Sequence, residues 1–283
     1  YVARPDGAQL EQLTFFDGKR DYASDPAWSP DGRRIAFSAT REWVTPRIYV
    51  MDADASNHRL ISEGGSDRAP TWSPRGNAVA FWSARWPTTQ GIYVADVAGG
   101  PDRRLTSLDS YAYYPSWRPV GDAIAYTTSH GADGMNIHIM DAQGRRTAQI
   151  TARPSSDGWP AWHPREEAIA FAAWDGDNDA PDIHTINADG TDERRVTKHP
   201  AWDGEPRWSP DGTQLLFMST RDGRHALYIS DVDGRIVRNV TGPQFLGIHG
   251  SSWFDPDVPR SVSPVGLRAA TWGWLRSLGR PAP

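Results

Sequence analysis

The chain has 283 residues, 38% of them hydrophobic, with 26 glycines, 23 prolines, 14 tryptophans and no cysteine. That is enough apolar material for one large, turn-rich β domain, and the lack of cysteine excludes a disulfide framework. A net charge of −5 with no basic run excludes a nucleic-acid surface; no apolar run reaches the roughly 18 residues of a membrane helix, so no membrane insertion is expected.

The first stretch, "YVARPDGAQLEQLT" at 1–14, reads as the back half of a repeat. Tyr1 and Asp6 have the spacing of Tyr49 and Asp54, and "EQLT" matches "RRLT" at 103–106. The first whole unit begins with "AWSPDGRRIAFSA" at 27–39. Trp28 opens an innermost strand, Ser-Pro-Asp-Gly makes a turn, and Ile35-Ala36-Phe37 forms the second strand. "IYVMD" supplies a third strand and "RLIS" a fourth. The same hairpin returns as "TWSPRGNAVAFWSA", "SWRPVGDAIAYTT", "AWHPREEAIAFAA" and "RWSPDGTQLLFMS". Its tryptophans, Trp28, Trp72, Trp117, Trp162 and Trp208, are spaced by 44, 45, 45 and 46 residues. That period predicts four-stranded propeller blades. An aromatic follows each tryptophan by 9 residues, so packing fixes the hairpin, whereas the loop between strands two and three varies. Trp253 lies 45 residues after Trp208, so "SSWFDP" is expected to be a further innermost strand and "LRAATWGW" its partner. In a second register, "SVSPVGLRAAT" is itself the hairpin and 242–258 form a long loop over the mouth. The expectation is one all-β domain over 1–283: a six-bladed propeller. It has five complete repeats at about 22–245 and a sixth blade split between 1–16 and about 246–278, closed by pairing of the two chain ends.

The repeat unit "WSPDGRRIAFSA…IYVMDADASNHRLIS" resembles the TolB-type propeller repeat, also called the WD40-like or PD40 repeat, over essentially the whole chain. The resemblance implies the propeller fold and a periplasmic or secreted location. It is weak for function, because such repeats occur in unrelated contexts. The extra α/β domain of TolB is not found ahead of the repeats, and no contact residues for its partner Pal are carried over. Prolyl oligopeptidases and some polysaccharide lyases also carry related propellers. No G-x-S-x-G elbow of the hydrolase type stands in the chain.

The repeated tryptophans are expected to wedge between blades. What differs between blades carries the functional reading. Three residues before each repeat tryptophan stand Asp25, Ala69, Tyr114, Trp159, Glu205 and Gly250. Arg68, Tyr113, Trp202 and His249 sit beside them, and Asp67, Asp157 and Asp203 share the position five before the tryptophan. Those aspartates read first as strand caps or bonds to the next blade. The second loop set adds Arg41, Trp43, Arg85, Trp86, His130, Trp174 and Arg221. Trp43, Trp86, Trp159, Trp174 and Trp202 are thus expected on one face, where rings stack on apolar surfaces and charged groups bond hydroxyls or carboxylates.

The expected ligand-binding residues are Arg68, Tyr114, Asp157, Trp159, Trp174, Asp203, Glu205 and His249. In "WDGDNDAPD", Asp175, Asp177 and Asp179 alternate as ligands for Ca²⁺ would. Ala180 and Ile186 depart from the EF-hand pattern, so a solvated acidic loop is the competing reading. The expected function is a binding module, monomeric unless built into a larger assembly, that presents an aromatic, mixed-charge mouth to a glycan or protein. No catalytic residue is assigned. The alternative is a metal-assisted polysaccharide lyase or hydrolase in the central channel, drawing on His130, His199 and His249 with Glu205 and Arg68.

Overall fold

A computed structural model describes residues 1–2, 11–14, 21–40, 45–87, 90–130, 133–174, 180–241 and 250–254. Five antiparallel sheets of four strands follow one another along the chain. Blade 1 is β1 (Tyr22–Trp28), β2 (Arg34–Thr40), β3 (Arg47–Asp52) and β4 (Arg59–Leu60). Blade 2 is β5 (Ser66–Trp72), β6 (Ala78–Ala84), β7 (Gly91–Asp96) and β8 (Arg103–Arg104). Blade 3 is β9 (Tyr111–Trp117), β10 (Ala123–His130), β11 (Asp133–Asp141) and β12 (Thr147–Gln149). Blade 4 is β13 (Asp157–Trp162), β14 (Ala168–Ala173), β15 (Asp182–Asn187) and β16 (Arg194–Arg195). Blade 5 is β17 (Asp203–Trp208), β18 (Gln214–Ser219), β19 (Ala226–Asp231) and β20 (Ile236–Asn239).

The Ser-Pro-Asp-Gly turn closes its hairpin through its own side chains. Ser29 Oγ accepts the Arg34 N–H at 2.9 Å and donates to Asp31 at 2.6 Å, and Asp31 also accepts the Arg33 N–H at 3.1 Å. Gly32, at φ 67°, supplies the left-handed residue the turn requires. Ser209 and Asp211 repeat the arrangement in blade 5. Blade 4 has His163 in place of the serine: its Nδ1 accepts the N–H groups of Arg165 and Glu166, which leaves Nε2–H to donate to Gly212 O in the next blade at 3.2 Å.

The apolar core lies between blades. Ala36, Ile48 and Val50 of blade 1 pack on Trp72, Val79 and Phe81 of blade 2, and the pattern continues to blade 5. Phe81, Phe171 and Phe217 are fully buried, each contributing about 2–3 kcal/mol. The repeat tryptophans wedge as expected. Trp72 Nε1 donates to Ala27 O and Trp208 Nε1 to Ala161 O, each in the preceding blade. Arg34 lies over the Trp72 ring and Arg118 over Trp162.

The blade count departs from the sequence reading: among the described residues the structure shows five blades, not six. Of the expected split blade, the described N-terminal residues contribute an isolated Val2–Glu11 bridge and Leu13, which packs on Ile35 and Phe37. Residues 250–254 form no strand, and 255–283 lie outside the described residues. The reason is legible after Trp253. The position 9 residues on holds Val262 where every whole repeat has an aromatic, and no turn of the repeat type follows Trp253. Residues 250–254 nevertheless lie against blade 1. Trp28 N–H donates to Ser252 Oγ at 3.2 Å, as Trp117 N–H does to Thr71 and Trp162 N–H to Ser116.

Candidate binding mouth

Each innermost strand is broken at the same place. Pairing slips between Ser24 and Ala27, Arg68 and Thr71, Gly158 and Ala161, and Gly204 and Arg207, and the β9–β10 ladder slips at the same point. The bulged residue takes a left-handed backbone: Asp25 (φ 52°), Ala69 (51°), Tyr114 (51°), Trp159 (52°) and Glu205 (53°), with Gly250 at 77° in the equivalent position. In all five blades proline follows, a residue with no N–H to offer the ladder. Such backbones cost about 1–3 kcal/mol each outside glycine. The bulge positions are the variable ones singled out in the sequence.

Four of them, Asp25, Ala69, Tyr114 and Trp159, line a central cavity of roughly 190 Å³. Two residues on, Ala27, Thr71, Ser116, Ala161, Arg207 and Ser252 form the next layer, above the wedge tryptophans. Arg207 is the one charged residue of that layer. Desolvation pushes its guanidinium pKa down, against the pull of Glu205 and Asp25, and it donates to Pro206 O at 2.8 Å. Burial raises the Tyr114 pKa, reinforced by Glu205 and Asp25. Asp25 and Glu205 thus bear on the same space from blades 1 and 5.

Above this layer the rings form a continuous arc across blades 2 to 5. Trp82 packs on Tyr113 at 5.7 Å between centroids, Tyr113 on Tyr114 at 6.1 Å, and Tyr114 on Trp159 at 5.2 Å. Trp159 meets Trp174 at 5.5 Å and Trp202 at 5.6 Å, and Trp202 meets His225 at 5.6 Å. Trp82, Tyr113, Tyr114, Trp159, Trp174 and Trp202 are all half-buried, so each retains solvent-facing surface.

The structure therefore brings Tyr114, Trp159 and Trp174 together, with Glu205 beside them. Arg68 stands at the blade 1 side, paired in register with Trp82 and donating to Tyr22 Oη at 2.9 Å. Asp157 and Asp203 lie elsewhere. With Asp67 they are fully buried inside their blades. Arg221 clamps both Asp203 oxygens at 3.1 and 2.9 Å, Arg153 lies 3.9 Å from Asp157, and Asp67 accepts the Ser83 hydroxyl with Arg47 and Arg85 nearby. Burial raises the Asp67 pKa despite these partners. Trp86 is 95% exposed and has no ring partner among the described residues. His249, Trp43, Asp175, Asp177 and Asp179 lie outside the described residues. Among the described residues no three His, Asp or Glu side chains gather around a metal position. His199 Nδ1 accepts the Ala201 N–H at 3.1 Å.

Sequence reasoning missed Trp82, His225 and Arg207. For two of them a signal existed. Trp82 follows the second-strand aromatic where the other blades carry Ser38, Thr127, Ala172 and Met218, and Arg207 precedes the wedge where they carry Ala27, Thr71, Ser116 and Ala161.

A family model of the TolB β-propeller domain, PD40, matches residues 6–177 and 157–254. The chain belongs to the TolB β-propeller family. Among solved structures it is similar to a TolB of Agrobacterium tumefaciens described as putative (20% identity, TM-score 0.68, covering 78% of this chain and 81% of that one). It is similar also to TolB of Acinetobacter baumannii (24% identity, TM-score 0.69, 83% of this chain and 57% of that one). An oligogalacturonate lyase of Vibrio parahaemolyticus is a more distant likeness (13% identity, TM-score 0.60, 83% and 70% coverage). At these identities the TolB propeller shares the fold with all three. No curated protein matches the chain.

Proposed function

We propose that this TolB-family propeller is a non-enzymatic binding module, periplasmic or secreted, whose mouth holds a glycan or protein ligand against the wall formed by Tyr114, Trp159 and Trp174. The observation that carries the reading is the arc itself. Its rings occupy positions that the repeat does not specify, yet they meet one another from four blades. A rigid frame that presents clustered aromatics beside a few charged groups is what ligand surfaces require. The enzyme alternative is not favoured over binding, because the likeness to an oligogalacturonate lyase is one of fold alone.

The test is an oligosaccharide and peptide array probed with the parent and with Trp159→Ala/Trp174→Ala. Loss of a central aromatic anchor typically costs about 2 kcal/mol or more, roughly 30-fold in affinity. The reading expects at least that loss for any ligand the parent captures. Equal capture by the double variant contradicts it.

A further inference from the structure

In the layer below the bulges, Ala27, Thr71, Ser116, Ala161, Arg207 and Ser252 all line the channel, and only the blade 5 position carries a long, charged side chain. The Arg207 guanidinium donates to Pro206 O at 2.8 Å, and among the described residues no carboxylate comes within ion-pair reach of it. Asp25 and Glu205 act on it only at a distance, while desolvation pushes its pKa down. A guanidinium is a fork of N–H donors with no acceptor, and the described residues leave most of that fork unused. A desolvated cation without an ion pair costs stability, and packing does not call for it here, since the other positions of the layer are filled by alanine, serine or threonine. The hydroxyls beside it are placed alike. Thr71, Ser116 and Ser252 accept the backbone N–H groups of Trp117, Trp162 and Trp28 at 3.1, 3.3 and 3.2 Å. A hydroxyl that accepts still has its own hydrogen to give, and none of the three finds an acceptor among the described residues. Donors thus face the channel from four of the six positions of the layer, and none of the six is a carboxylate.

We propose that the channel beneath the aromatic wall takes a carboxylate carried by the ligand, its oxygens accepting from the Arg207 guanidinium and from the hydroxyls of Thr71, Ser116 or Ser252. This rests on the binding reading above and names the group it engages. The planar guanidinium fork matches the two oxygens of a carboxylate, and such charge-assisted bonds strengthen where water is excluded. The cavity of roughly 190 Å³ is small, so the bulk of the ligand lies above it, on Tyr114 and Trp159. Asp25 stands one layer up and accepts the Ser24 hydroxyl at 3.0 Å. Its charge opposes a dianion more than a monoanion, which favours a carboxylate over a phosphate. A neutral group can bond the hydroxyls but leaves the guanidinium without a counter-charge, and an ammonium group meets Arg207 as a like charge. Peptide ends and sugar acids both carry a carboxylate, and the test separates them.

Titration calorimetry of the full chain with two matched pairs tests this: N-acetylphenylalanine against its amide, and methyl glucuronoside against methyl glucoside. The proposal expects one acid or both to bind about tenfold or more tighter than the neutral partner, and the pair that shows the preference names the source. Arg207→Gln should bring that acid down to the affinity of its neutral partner, with the circular dichroism of the parent retained. Acids no tighter than their neutral partners in both pairs, inorganic phosphate tighter than both acids, or a preference that survives Arg207→Gln overturns the proposal. The rankings on the parent protein decide even where the variant fails to fold. If Trp159→Ala/Trp174→Ala loses an array ligand while neither acid is preferred, the carboxylate falls and the wall stands. If an acid preference tied to Arg207 is present while the double variant keeps the array ligand, the wall falls and the carboxylate site stands.

Discussion

Along each innermost strand the wedge position and the bulge position lie three residues apart. The wedge is tryptophan in all five blades, whereas the bulge is Asp25, Ala69, Tyr114, Trp159 or Glu205. The backbone is equally regular at both: the five bulge φ angles fall within 51–53°. What differs is the destination of the side chain. The wedge enters a close-packed space between blades, where volume dictates identity. The bulge sits at the central mouth, where the frame dictates the backbone and leaves the side chain unspecified. Uniform backbone with divergent side chains is therefore the mark of a face, and uniform side chains are the mark of a frame.

The largest effect is expected on the frame side. Asp203→Ala removes the carboxylate clamped by Arg221, whose side chain is 14% exposed. Breaking a buried pair from one side costs about 3–5 kcal/mol, to be read by calorimetry. Adding Arg221→Met should recover part of it. A single variant as stable as the parent would move Asp203 out of the frame.

The bulge layer should respond less, and in opposite directions at two sites. Ala69→Gly relieves a left-handed alanine without removing a packed side chain and should stabilise by about 1 kcal/mol. Gly250→Ala imposes that strain and a 2.8 Å approach to the Asp25 backbone, and should destabilise by about 2 kcal/mol. Denaturant midpoints separate the two. Matching signs would mean that the bulge geometry is not shared.

The smallest effect lies in the turns. The Ser209 hydroxyl and the Thr213 N–H hold the Asp211 carboxyl below its usual pKa. A depressed folded pKa contributes stability above the unfolded value, and this is lost as pH falls through the folded value. Asp211→Asn should cost about 0.5 kcal/mol at pH 7 in this exposed turn. The gap between variant and parent should close at a pH below about 4; a gap that persists there points to a cause other than charge.

The repeat was legible because wedge, turn and second-strand aromatic recur at fixed spacing, and packing tolerates little else at those positions. The sixth blade was over-read: Trp253 keeps the period, but the aromatic and the turn that make a hairpin do not follow it. The bulge was visible as a divergent column, while its left-handed backbone was hidden because none of the five bulge residues is glycine. The proline after each was the available clue. Asp157 and Asp203 could not be told from mouth residues by type alone, since their partners are set by the folded blade. Arg85 and Arg221 each follow their aspartate by 18 residues, and that spacing could have placed Asp67 and Asp203 inside the blade.

Thermal unfolding of Trp162→Ala beside Trp159→Ala/Trp174→Ala tests the distinction between frame and face most directly, because the first two positions share one strand. Trp162 is 5% exposed at a blade interface, and its truncation should cost about 3–5 kcal/mol. The double variant, though it removes two rings, should lose no more than about 2 kcal/mol and keep the circular dichroism of the parent. If it unfolds as readily as Trp162→Ala, the aromatic arc is part of the frame and the mouth is not where this propeller binds.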